Sequence, residues 1–121
     1  MTEVRRNPDH SGCPKNAYAE KIALALMGVG ALPEDALAEA ASWDRPGGAT
    51  LGRRAILAAL PDQQAETIRI EQVVAHGRAG SVSGRVTRDG ETALFCHVIR
   101  YTTPAATEIA QLVSFEHSGG A

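Results

Sequence analysis

From residue 66 to residue 117 the sequence reads as four antiparallel strands with apolar side chains on both faces. Residues 94–101, LFCHVIRY, and 109–115, IAQLVSF, are the clearest stretches. A sheet buried on one face alternates apolar and polar residues, so a sheet of this kind needs two covering partners. The chain's own helices can supply one, and the expectation for the other is a second subunit.

Turn chemistry sets the register. Asp89-Gly90 is the strongest short hairpin signal in the chain, because a type I′ turn needs positive φ at both central residues. With Arg88 and Glu91 flanking it, Val86 faces Ala93, Gly84 faces Phe95 and Val82 faces His97 on one side of the sheet. The other side carries Ser81, Ser83 and Arg85 beside Leu94, Cys96 and Val98. Gly77 marks an earlier hairpin within residues 75–80, and Pro104 a later one within residues 102–107.

The first half carries helical signals. Residues 1–12 are rich in charge and in turn-forming types, which predicts a mobile leader, followed by one domain over residues 13–118 and a tail at 119–121. From Pro14, the residues Tyr18, Ile22, Leu26 and Val29 recur at helical spacing. Pro33 to about Ala41 predicts a second, shorter helix with Glu34 and Asp35 in its first turn. Residues 42–49 predict a short strand leaving into the Arg45-Pro46-Gly47-Gly48 turn, and residues 52–60 a third helix stopped by Pro61.

At 121 residues the chain is long enough to bury one self-sufficient core. A net charge of −2, with both signs interspersed, leaves no basic stripe for nucleic acid and no polybasic patch for a membrane. No apolar run approaches a membrane span and the polar start is unlike a secretory signal. The expected compartment is therefore the cytoplasm, where Cys13 and Cys96 stay thiols. His10 and Cys13 stand at metal-like spacing without a second pair to complete a tetrahedral site, so neither a metal nor a cofactor is expected.

Four local features occur in a telling order: Trp43-Asp44-Arg45-Pro46-Gly47 at a strand exit, Gly52-Arg53-Arg54-Ala55-Ile56 opening a helix, His97-Val98-Ile99-Arg100-Tyr101 in the penultimate strand, and a final strand after a short turn. Together they resemble the nuclear transport factor 2-like superfamily, which includes SnoaL-like polyketide cyclases and ketosteroid isomerases. Cys13-Pro14-Lys15-Asn16 and Phe95-Cys96 are similar to a small, uncharacterised bacterial branch of it. The resemblance spans residues 14–117 and implies an α+β fold, a curved antiparallel sheet wrapped around N-terminal helices as a cone with a pocket, or cystatin-like roll. Members commonly dimerise through the face opposite the pocket.

Matched to the isomerase pattern, His97 takes the place of a pocket-facing aspartate. The resemblance then implies that Phe95, His97, Ile99 and Tyr101 line the concave face and Cys96, Val98 and Arg100 the convex one. In the last strand it places Ala110, Leu112, Ser114 and Glu116 inside. The implied ligand-lining set is Tyr18, Trp43, Arg45, Phe95, His97, Tyr101, Leu112 and Glu116, and the implied dimer face is Cys96, Val98, Ile109, Gln111, Val113 and Phe115.

The isomerases work with a carboxylate base and an oxyanion hole of a tyrosine and a protonated aspartate. Arg45 stands at the base's position, with Asp44 one residue off and on the other face, and a slip of one residue would exchange them. The tyrosine's position falls near Ile22, one turn after Tyr18, so the isomerase set is not reproduced. His97 remains the candidate acid or base, since imidazole titrates near neutrality. The plainer reading is a histidine hydrogen-bonded inside a mostly apolar cavity, with Glu116 opposite Ala93, two rows away. Cys96 and His97 point to opposite faces and cannot act together as nucleophile and base. Arg45, if directed into the cavity, needs a carboxylate from Glu116 or from an acidic ligand.

The leading expectation is thus a homodimeric domain with one pocket per subunit that binds a small molecule, acidic and apolar in character, with no nucleic-acid or membrane partner. The alternatives are a SnoaL-like isomerase, cyclase or hydrolase using His97 as general acid or base, and a protein-interaction module whose pocket is filled by side chains.

Overall fold

The computed structural model describes residues 2–6, 14–61 and 65–118. Strand β1 (Glu3–Arg6) precedes helix α1 (Pro14–Leu26), a 3-10 turn at Glu34–Ala36, β2 (Leu37–Arg45), β3 (Gly48–Leu51), helix α2 (Arg53–Ala59), and then β4 (Thr67–His76), β5 (Ala79–Arg88), β6 (Glu91–Tyr101) and β7 (Ile109–Ser118). All seven strands join one sheet in the order β1-β4-β5-β6-β7-β2-β3. The architecture is α+β, with the four C-terminal strands antiparallel as the alternation predicts. β1 and β2 are added in parallel to β4 and β7.

The β5–β6 hairpin has the expected register, with Val86 opposite Ala93, Gly84 opposite Phe95 and Val82 opposite His97. Asp89 (φ 51°) and Gly90 (φ 79°) both take the positive φ that the turn demands. One face of the sheet packs on the helices: a side chain at Gly80, opposite Ile99, would touch Ala19 of α1 at 3.5 Å. Ile68, Ile70, Val82, Val86, Ile99 and Leu112 are buried there with Ile22 of α1 and Ile56 of α2. Contiguous apolar burial of this kind is the main favourable term in folding.

Bulges bend the sheet. One inserts Glu71 between the Ile70–Gly84 and Gln72–Ser83 pairs, and another inserts Ala110 between the Arg100–Gln111 and Tyr101–Ile109 pairs. In β2 four residues lie between Leu37 and Ser42 while only one lies between their partners, Ile109 and Gln111.

Three expectations change. The helix expected from Pro33 to Ala41 is one 3-10 turn, and residues from Leu37 on are strand. Alanine and glutamate favour a helix by only a few tenths of a kcal/mol per residue. β2 instead gains ladders with both β3 and β7 and buries Leu37, Ala41 and Trp43. Residues 3–6, expected in a mobile leader, form β1 along the open edge of β4, with Val4 opposite Ile68. The expected leader residues 7–12, the His10–Cys13 pair and the tail at 119–121 lie outside the described residues. Ile109, expected on the convex face, is fully buried in the core, because the Ala110 bulge shifts the alternation by one and sets Ile109 opposite Tyr101. No helix among the described residues is long and apolar enough to cross a membrane.

Candidate functional site

A cavity of about 330 Å³ opens at the edge of the sheet where β2, β5 and β7 end and β6 begins, near the C-termini of the two helices. Leu26, Ala59, Pro46 and Pro61 give it apolar walls, and Trp43, His97, Ser114 and Phe115 line it further in sequence. Arg45, Arg88 and Glu116 supply the charge. Alternation explains the set: Trp43 and Arg45 are two apart on β2, and Ser114 and Glu116 are two apart on β7, so each pair shares a face.

Buried at this site is a chain of three polar side chains. Trp43 Nε1 donates to Ser114 Oγ at 2.8 Å, and the same oxygen lies 2.7 Å from His97 Nδ1. Ser114 is directly across the β6–β7 ladder from His97. All three are almost fully buried, with His97 at 2% exposure. The other ring nitrogen, His97 Nε2, is buried without a hydrogen-bond partner among the described residues. Burial first, and the positive charge of Arg88 second, lower the His97 pKa to about 4, so the ring is neutral at neutral pH.

The charged groups have local partners. The Arg45 guanidinium stacks over the Trp43 ring at 4.2 Å from its centroid and donates to Thr50 Oγ1 at 2.9 Å. Glu116 pairs with Arg88, not with Arg45. Glu116 is opposite Phe95, one row from His97, and not opposite Ala93 as expected. Asp44 faces the other side and accepts from Gln111 Nε2 at 2.7 Å, so Arg45 is the member of that pair at the cavity.

Of the expected lining residues, Trp43, Arg45, His97 and Glu116 meet at the cavity. Tyr18, Phe95, Tyr101 and Leu112 do not. Leu112 is core, and Phe95 packs against the His97 ring with centroids 5.4 Å apart. Tyr18 stacks on Tyr101 at 6.2 Å and donates to the Thr107 carbonyl at 2.8 Å. That stack lies at the hairpin end, where burial pushes the Tyr101 pKa up to about 12 and, with Asp35 second, raises that of Tyr18. Of the expected dimer face, Cys96, Val98, Gln111 and Val113 are half-buried on the outer side and Phe115 is 54% exposed; Phe115 also contributes to the cavity wall. Leu94, 44% exposed, extends the outer row next to Cys96.

Two residues of the cavity wall are not legible as such in the sequence. Ser114 is expected inside but not against His97; the loop before β7 and the Ala110 bulge each shift the register by one residue and bring the two together. Arg88 is expected only as a turn flank; its place on the same face as Val86 puts it on the pocket side of the sheet, where it reaches across β6 to Glu116.

No protein-family model matches the sequence, and no curated protein does. Solved structures do match. A candidate ketosteroid isomerase from Kribbella flavida superposes with a TM-score of 0.66 at 19% identity, covering 88% of this chain and 80% of that one. A candidate isomerase of the SnoaL-like family from Agrobacterium tumefaciens gives 0.63 at 18% identity, covering 86% and 98%. A nuclear transport factor 2-like protein of unknown function from Burkholderia xenovorans gives 0.61 at 13% identity, covering 73% and 70%. The helices on one face of a bent, open sheet are therefore the α+β cone fold of nuclear transport factor 2-like, SnoaL-like and ketosteroid isomerase-like proteins.

Proposed function

We propose that this chain binds a small, largely apolar molecule in the cavity lined by Trp43, His97 and Ser114, holding it by a polar group hydrogen-bonded to His97 Nε2. The observation that carries the reading is that nitrogen, buried without a partner in a residue that lines a cavity. An unsatisfied buried polar atom costs free energy that a bound group would recover. A volume of about 330 Å³ with mostly apolar walls and a few polar groups suits a small organic ligand. An open cavity also weighs against an interaction module with a filled pocket. We further propose a homodimer formed through the outer face, with one cavity per subunit.

A second reading is an enzyme of the isomerase, cyclase or hydrolase kind with His97 as acid or base. The buried, perturbed histidine and the isomerase candidates among the structural neighbours favour it. A ring whose pKa is about 4 is a weak base at neutral pH, and the carboxylate beside it, Glu116, is engaged by Arg88. Binding without catalysis therefore ranks first. A thermal-shift screen of aromatic and alicyclic acids, ketones, alcohols and amines tests it, since a ligand that binds the folded state raises the melting temperature. Hits that stabilise the wild type and not His97→Leu support the reading. A screen in which no compound stabilises the protein contradicts it.

A further inference from the structure

We infer that Arg45 is the anion-binding group of the cavity, so that the cavity selects a monocarboxylate carried on an apolar body. The inference rests on the proposed cavity reading and names the chemical class that cavity takes.

The β2–β3 hairpin builds the group. Arg45 is two residues after Trp43 on β2, and Thr50 is directly across the ladder from Trp43, so the three share one face. Trp43 is buried and anchored through its Nε1–H to Ser114 Oγ. The Arg45 guanidinium lies over that ring, 4.2 Å from its centroid, and Nη2 donates to Thr50 Oγ1 at 2.9 Å. A stack and a hydrogen bond thus order the guanidinium before any ligand arrives, which reduces the entropy lost on binding. The residue opposite Arg45 is Gly48, which has no side chain to pair with it or cover it. Arg45 is exposed, so a ligand entering the cavity can reach it.

The charges at the cavity do not balance. Its wall holds two guanidiniums, Arg45 and Arg88, and one carboxylate, Glu116, which pairs with Arg88. Among the described residues no carboxylate forms an ion pair with Arg45, and the adjacent Asp44 faces away to Gln111. One positive charge is left unmatched, which a monoanion neutralises, a dianion overshoots and an ammonium group worsens. Of the five guanidinium N–H groups Thr50 occupies one, so two parallel bonds to a carboxylate remain available. An exposed ion pair is weak on its own. The apolar wall of Leu26, Pro46, Ala59 and Pro61 must supply the rest of the affinity, which requires an apolar body on the acid.

Calorimetry on the full chain at pH 7 tests this with 3-phenylpropionate and 3-phenylpropionamide, which share one apolar body and differ in charge. Each is titrated into the wild type, Arg45→Gln and Arg45→Lys. The wild type is expected to bind the acid roughly tenfold more tightly than the amide. Arg45→Gln should bring the acid down to the level of the amide while leaving the amide's own affinity unchanged, which also shows that the variant is folded. Arg45→Lys keeps the charge and loses the planar fork, so its preference should fall between the two. Equal binding of acid and amide by the wild type overturns the inference and leaves the cavity reading standing. A preference that survives intact in Arg45→Gln overturns the assignment to Arg45. Absence of binding by both compounds overturns the cavity reading and the inference with it.

Discussion

Ser114 faces His97 directly across the β6–β7 ladder, with its hydroxyl oxygen 2.7 Å from Nδ1. That oxygen also accepts from Trp43, so one small side chain satisfies two large buried ones. Ser114→Ala leaves both Trp43 Nε1 and His97 Nδ1 without a partner. The expected cost is about 1–3 kcal/mol of unfolding free energy, read as a lower urea-denaturation midpoint at unchanged m-value. A variant as stable as the wild type would show that the chain of bonds does not hold the site together.

The neutral His97 ring makes stability depend on pH with a definite sign. Its folded pKa of about 4 lies below the ordinary value of 6.5, so between the two the unfolded chain holds a proton that the folded chain refuses. Its contribution is complete above about pH 6.5, falls by roughly 3 kcal/mol as the pH drops to about 4, and changes no further below that. Urea denaturation of wild type and His97→Leu at a series of pH values isolates this term. The wild type's advantage over the variant should shrink steadily on acidification, and a constant difference would contradict the buried neutral ring.

Gly84 is fixed by a backbone contact. It sits opposite the bulge at Glu71, and an added Cβ would stand 1.8 Å from the Arg69 carbonyl oxygen. Gly84→Ala must displace the bulged strand and should cost roughly 3 kcal/mol or more. Gly47→Ala, with nothing within 4 Å of the new atom, should stay within about 0.5 kcal/mol of wild type. Equal melting temperatures for the two variants would refute the role given to the bulge.

The sequence carries local information well and non-local pairing poorly, and the strands show it one by one. The β5–β6 register was legible because Asp89-Gly90 fixes the turn and the rest follows by counting. The β6–β7 register was not, because Pro104 marks the loop without fixing the pairing that follows and the bulge at Ala110 has no compositional mark; the two together displaced Ser114 from His97, and the bulge moved Ile109 inward. β2 was hidden by its alanines and glutamate, whose helical preference yields to two neighbouring strands. β1 has one apolar residue, Val4, and exists only because β4 offers an edge. At the site, Trp43, Arg45 and His97 could be found from alternation and the fold resemblance. Their hydrogen-bond partners depend on contacts across 71 and 17 residues of sequence, which no local pattern encodes.

The outer face predicts an assembly. Val98 and Val113 are half-buried opposite each other, with Phe115 and Leu94 exposed in the neighbouring positions. A contiguous apolar row of this kind calls for a covering surface, and two copies of the same row can meet about a twofold axis. Light scattering at micromolar concentration should give twice the chain mass, and Phe115→Glu should give the chain mass with little loss of monomer stability. A monomeric wild type would contradict the dimer.

The central claim is that His97 Nε2 holds a ligand in the cavity, and calorimetric titration of 3-phenylpropionate at pH 7 into wild type and His97→Leu tests it most directly. Leucine keeps the volume of the side chain and removes the donor. Binding to the wild type that weakens at least roughly tenfold in the variant is the predicted result, about the worth of one charge-assisted hydrogen bond. Equal affinity for both proteins would contradict it.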